Sequence, residues 1–130
     1  MKILRLKKGD LLVKSLEEKV GNIASGVIVG IGALNWARLK IYNLNKKKYT
    51  EEKFNGPLEL ISFTATIAKS TEGKTGLHAH CVLSGEDFKA IGGHMEEAEV
   101  AATFEAVIID STKKVERYFD KDIGLNLIKD

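Results

Sequence analysis

Leu77-His78-Ala79-His80-Cys81-Val82-Leu83-Ser84-Gly85-Glu86-Asp87-Phe88-Lys89-Ala90-Ile91-Gly92-Gly93-His94 holds all three histidines of a 130-residue chain. Successive residues of a strand point to opposite faces, so His78 and His80 share one face while Ala79 and Cys81 take the other. Ser84-Gly85-Glu86-Asp87 is a turn-forming cluster. A strand returning from it brings His94 back beside the first two, and the window therefore reads as an antiparallel hairpin. Three imidazoles converging on one point are the donor set of a zinc-type cation, and three protein ligands leave a coordination position open. Read one at a time, each histidine is equally well a neutral, half-buried strand residue satisfied by backbone carbonyls.

Working outward, the segments on either side carry the same period. Leu58 to Lys69 alternates as a long strand, with Glu59, Ile61, Phe63, Ala65 and Ile67 on one side and Leu60, Ser62, Thr64 and Thr66 on the other. Ser70-Thr71-Glu72-Gly73-Lys74 turns it into the histidine strand. Upstream, Trp36 to Tyr42 and Tyr49 to Phe54 form a hairpin whose tip, with Lys46, Lys47 and Lys48, is solvated, and Asn55-Gly56-Pro57 ends that unit. Gly26 to Leu34 is β-branched and interrupted by Gly30 and Gly32, which suits a bulged or tightly packed strand better than a phosphate loop. Val100 to Ile109 is another long strand, and Lys2 to Leu6, Val115 to Phe119 and Leu125 to Ile128 are short ones.

One segment has a helical period. Leu12, Leu16, Val20 and Ile23 recur on one face, with Asp10 placed as the N-cap of a helix running to about Ile23. A second, short helix has no clear place in the pattern. Strands joined by short turns pair antiparallel. The expected fold is α/β (α+β), a central, mostly antiparallel sheet with one N-terminal helix, as a single domain over residues 1–130.

The totals agree with that reading. Apolar residues make up 44% and charged residues 29% of the chain, ordinary proportions for a globular protein. No apolar run reaches membrane-spanning length and no signal-peptide pattern opens the chain, so no membrane association and a cytoplasmic location are expected. The single cysteine forbids an internal disulfide and suits a reducing compartment. Residues 1–48 hold 11 Lys/Arg against 3 Asp/Glu, a net +8, and residues 49–130 hold 9 against 15, a net −6. Such polarity suits an anionic partner or self-association, and equally two solvated faces that differ.

In order along the chain stand Gly9-Asp10-Leu11, Gly30-Ile31-Gly32-Ala33, Gly56-Pro57-Leu58-Glu59-Leu60-Ile61-Ser62-Phe63, His78-Ala79-His80, Gly92-Gly93-His94, Thr103-Phe104-Glu105, and Arg117 with Asp120. Each piece is short, and their order is what resembles the PPC domain, the plant and prokaryote conserved domain, in its stand-alone prokaryotic form. The resemblance implies a mostly antiparallel α/β fold and a homotrimer. Plant members join the domain to an AT-hook and bind DNA. This chain has no Arg-Gly-Arg, and Arg5, Arg38 and Arg117 stand alone. The fold also resembles that of alpha-acetolactate decarboxylase, which holds zinc with histidines.

The candidate site is accordingly His78, His80 and His94 as ligands of zinc or another divalent transition metal. Glu59 and Glu105 are candidates for a fourth ligand, a supporting partner or a general base, although Glu105 reads better as paired with Arg38 or Arg117. Gly92 and Gly93 allow close backbone approach or positive φ at the site. Cys81 faces away and is a small core residue. Glu96, Glu97 and Glu99 read as a solvated acidic loop. Three functions follow: a homotrimeric metal-binding module for a small molecule or protein partner, a metal-dependent lyase or hydrolase, and a DNA-associated protein making contact through Lys46, Lys47 and Lys48.

Overall fold

The structure is a computed structural model, and it describes residues 1–129. The elements follow in the order β1 (Lys2–Lys7), α1 (Leu12–Val20), β2 (Ser25–Asn43), β3 (Lys48–Lys69), β4 (Thr75–Ser84), β5 (Ala90–Ser111), β6 (Arg117–Asp120) and β7 (Leu125–Ile128). β1 to β5 build one sheet in the order β1-β5-β2-β3-β4, with a further pairing of β5 to β4, while β6 and β7 form a separate hairpin. All the strand pairings are antiparallel.

β5 explains the shape. Its 22 residues are long enough to pair with β2 along most of their length, with β1 through the C-terminal half and with β4 through Ala90 to His94. The circuit β2-β3-β4-β5 therefore closes, and the sheet curls at the histidine end. The inner face collects Leu34, Leu60, Phe63, Leu83, Val100 and Phe104, all buried, and α1 lays Leu12, Leu16 and Val20 onto it at 0% exposure. Phe63 and Phe104 meet edge to face with centroids 5.4 Å apart, a favoured aromatic geometry.

Several expectations change in the structure. Asp10 is not the helix cap. Its Oδ2 accepts a hydrogen bond from Lys7 N, and Leu11 occupies the N-cap position without a side-chain bond. The orphan amides at the helix start are satisfied from across the fold, where the Glu97 carboxylate accepts from Val13 N at 2.7 Å and Lys14 N at 3.2 Å. The helix ends at Val20, and Ile23 N then donates to Val20 O in a turn that keeps the Ile23 side chain in the core. No second α-helix occurs among the described residues.

Asn55-Gly56-Pro57 does not end a unit either, because β3 runs through it with a cis Gly56–Pro57 bond. The alternation expected from Leu58 to Lys69 flips once. The β2–β3 register shifts between Gly30 and Gly32, and the β3–β4 register shifts between Leu60 and Ser62. A bulge of this kind moves every later side chain to the other face. Leu58 and Leu60 are buried before it and Phe63, Ala65 and Ile67 after it, which turns Glu59 and Ile61 outward. Gly30 is required there, since a Cβ would stand 2.6 Å from the Phe104 ring.

Candidate metal centre

Alternation along β4 buries Ala79 and Cys81 on the core side and leaves His78 and His80 on the outer face. The turn after Ser84 returns the chain antiparallel, so that His80 stands opposite His94 in the β4–β5 ladder. The Nε2 atoms of His78 and His80 lie 3.1 Å apart, and one ligand atom from each of the three histidines falls within 4.8 Å of the others. Two nitrogens held at bonding distance by one tetrahedral zinc ion would be about 3.3 Å apart. The His78–His80 pair already has that spacing.

The electrostatics favour the neutral form of two of the imidazoles, His78 and His94. Burial, then the neighbouring His78 and His80, depress the His94 pKa to about 4. His78 is also lowered, first by burial and then by His80 and Arg117. Metal ligation requires deprotonated nitrogen, so this environment favours the ligating form at neutral pH. His94 Nδ1 is buried without a hydrogen-bond partner. The three residues fit a borderline transition-metal ion by donor type and spacing.

Placement of the other candidates is uneven. Gly92 and Gly93 oppose Val82 and Cys81, and a Cβ on Gly93 would stand 3.0 Å from Lys40 O. Close approach of β2, rather than positive φ, accounts for that glycine. Cys81 lies in the core, where burial pushes its thiol up to about 12. Glu59 opposes Ser84, four residues along β4 from His80, a separation of roughly 13 Å at strand rise. Glu105 lies on the far half of β5, eleven positions beyond His94 and opposite Arg5 of β1. The histidine group contains neither carboxylate.

The pairing expected for Glu105 is different as well. It stands opposite Arg5 and accepts from Thr103 Oγ1 at 3.3 Å, while Arg38 lies 4.0 Å from Glu51 and Arg117 donates to Thr66 Oγ1 at 2.7 Å. Glu96, Glu97 and Glu99 belong to β5, not to a solvated loop. Glu96 pairs with Lys40 Nζ at 2.7 Å, Glu97 closes the helix, and Glu99 accepts from Asn35 at 2.6 Å. Lys46, Lys47 and Lys48 are exposed at the β2–β3 hairpin tip.

One feature of the site was not foreseen from the residues alone. The β6–β7 hairpin stands over the outer face beside the histidines and encloses a groove of about 620 Å³. His78 and His94 form part of its wall, with Arg117 and Phe119 from β6 and Leu125 and Leu127 from β7. Lys69 N to Val115 O and Tyr42 Oη to Ile123 O hydrogen bonds, at 2.8 and 2.7 Å, hold this hairpin to the sheet. The sequence shows its two short strands, at Val115 to Phe119 and Leu125 to Ile128, but not where they pack.

A curled antiparallel sheet carrying one helix inside and a three-histidine group outside defines the class of α/β domain. The chain belongs to the Plants and Prokaryotes Conserved (PCC) domain family, whose profile matches residues 1–112. Among solved structures it is similar to the metal-containing protein of Archaeoglobus fulgidus, at 34% identity and a TM-score of 0.89 over 99% of this chain and 92% of that one. It is also similar to a candidate DNA-binding protein of Bacteroides thetaiotaomicron, at 29% identity and a TM-score of 0.93 over 98% of this chain and 90% of that one. A Staphylococcus aureus protein of unknown function, similar to alpha-acetolactate decarboxylase, shares the fold at 15% identity and a TM-score of 0.63 over 88% of this chain and 54% of that one. No curated protein matches the chain. Among the described residues no helix is long and apolar enough to cross a membrane.

Proposed function

We propose that this chain is a homotrimeric, cytoplasmic metal-binding module that holds zinc or another divalent transition metal on His78, His80 and His94. The observation that carries the reading is three imidazole nitrogens within 4.8 Å on one outer surface, with no carboxylate among them. The metal-containing relative, 34% identical, supports it. A metal bound there would supply Lewis acidity. This chain's own residues would orient it, His80 and His94 from facing strands and His78 from the next outward position on β4.

The trimer draws support from the sheet's outer face. Ile3, Val29 and Ile31 are 80%, 50% and 59% exposed. Ile3 and Val29 both oppose Val107 on β5, so they form one apolar row. Further copies of the chain would cover it.

A metal-dependent lyase or hydrolase is the second reading, favoured by the groove that opens at His78 and His94. DNA association through Lys46, Lys47 and Lys48 is the third, favoured by their shared exposure at one tip. The metal reading is tested by competing a chromophoric chelator against the protein for zinc. The wild type should withdraw zinc from the chelator and the His94→Ala variant should not; equal withdrawal by both would refute the assignment of His94.

A further inference from the structure

The groove beside the histidines has a charge and shape that metal holding does not use. Arg117 enters it half-buried from β6, and among the described residues its guanidinium donates one hydrogen bond, to Thr66 Oγ1. Thr66 stands directly opposite His78 on β3, so the guanidinium is brought beside the metal candidates. Among the described residues no carboxylate lies within ion-pair distance of Arg117. Glu17 is the one acidic residue in the groove wall and Lys74 shares that wall, while Glu96, the carboxylate felt by His94, is taken by Lys40.

A half-buried guanidinium keeps several unused donors in a planar fork that matches a carboxylate. Burying such a group without a counter-ion is unfavourable, and a divalent ion on neutral imidazoles would add to the same excess of positive charge. Leu77, Phe119, Leu125 and Leu127 give the wall an apolar stretch, beside the polar Ser70, Thr71, Thr75 and Asn126. A volume of about 620 Å³ suits a small organic molecule. Phosphate is served less well, because helix α1 turns Glu17 and not its N-terminal amides to the groove wall, and Glu97 already closes those amides.

We infer that this groove binds a small organic monocarboxylate, its acid group on Arg117 and its apolar chain against Phe119, Leu125 and Leu127. The metal would lie at the same end, and in that respect the inference rests on the proposed function, although Arg117 alone makes it testable. The probes are 4-methylpentanoate, its neutral amide and inorganic phosphate, titrated calorimetrically into zinc-treated and chelator-treated protein. The acid should bind the wild type roughly tenfold or more tightly than the amide, the scale of one charge-assisted hydrogen-bonded pair. Arg117→Gln should abolish that preference, and Arg117→Lys, which keeps the charge and loses the fork, should restore part of it.

Because the readout is a ratio of two probes on the same preparation, partial unfolding of a variant does not imitate the result. An acid-to-amide ratio near one in the wild type, a ratio unchanged in Arg117→Gln, or tighter binding of phosphate than of the acid would overturn the inference. A chain that takes up no zinc but keeps an Arg117-dependent preference for the acid would sustain it while refuting the metal reading. Zinc uptake without any such preference would do the reverse.

Discussion

His80 stands opposite His94 across the β4–β5 ladder, with ring centroids 5.7 Å apart, although 13 residues separate them in the chain. The turn at Gly85 to Lys89 makes that juxtaposition, and the pleat adds His78 on the same face. Protonating one ring beside two others is unfavourable, which ties the site to pH.

His94 titrates near 4 in the folded chain against about 6.5 for a free histidine. Between those values the unfolded chain binds the extra proton, so the metal-free protein should keep the His94 contribution in full above pH 6.5. It should lose that contribution progressively as the pH falls to about 4. Urea midpoints of chelator-treated protein should therefore fall less steeply across this window in His94→Asn than in the wild type. Parallel curves would contradict the assignment.

Helix α1 depends on a carboxylate 84 residues away in sequence from Val13. Glu97→Ala should destabilise the fold by about 2 kcal/mol, the scale of a lost helix cap with a charged acceptor. Asp10→Ala, which removes only a turn contact to Lys7 N, should cost less. Denaturant melts of the two variants would decide it, and an equal or reversed order would restore Asp10 as the cap.

Gly30 is one of the glycines on which the close packing of β2 against β5 depends. Its added Cβ would meet Phe104 at 2.6 Å and Glu105 O at 2.9 Å, one a packed ring and the other backbone. Gly30→Ala should therefore destabilise by about 2 kcal/mol or more. A variant that melts with the wild type would show that β2 and β5 can separate locally.

The apolar row on the outer face makes a separate prediction. Ile31→Lys combined with Val29→Lys should leave a folded monomer in sedimentation, since both side chains are exposed in one copy. A trimer that survives both changes would place the contact elsewhere. DNA association is tested by gel retardation, because binding through Lys46, Lys47 and Lys48 should weaken steeply between low and moderate salt. A salt-independent shift, or none, would remove that reading.

The alternation around Ala79 and Cys81 and the turn cluster after Leu83 were enough to place the histidines together. The ordered short motifs were enough to point to the family. What stayed hidden was phase and long-range supply. Gly30 and Gly32 mark an irregularity in β2, but nothing in Leu58 to Ile67 itself shows that its counterpart at Ile61 puts Leu58 and Leu60 on the same buried face as Phe63, Ala65 and Ile67. Glu97 caps a helix it is remote from in sequence, while Asp10, in the right local position, bonds elsewhere. The groove needs β6 and β7 to fold back over the sheet, a placement that two four-residue strands cannot announce on their own.

The most direct measurement is elemental analysis of the purified native protein beside a His78→Ala/His80→Ala variant. A bound divalent transition metal near one per chain in the native protein, and its loss in the variant, is the result expected. The same sub-stoichiometric metal content in both would contradict the site.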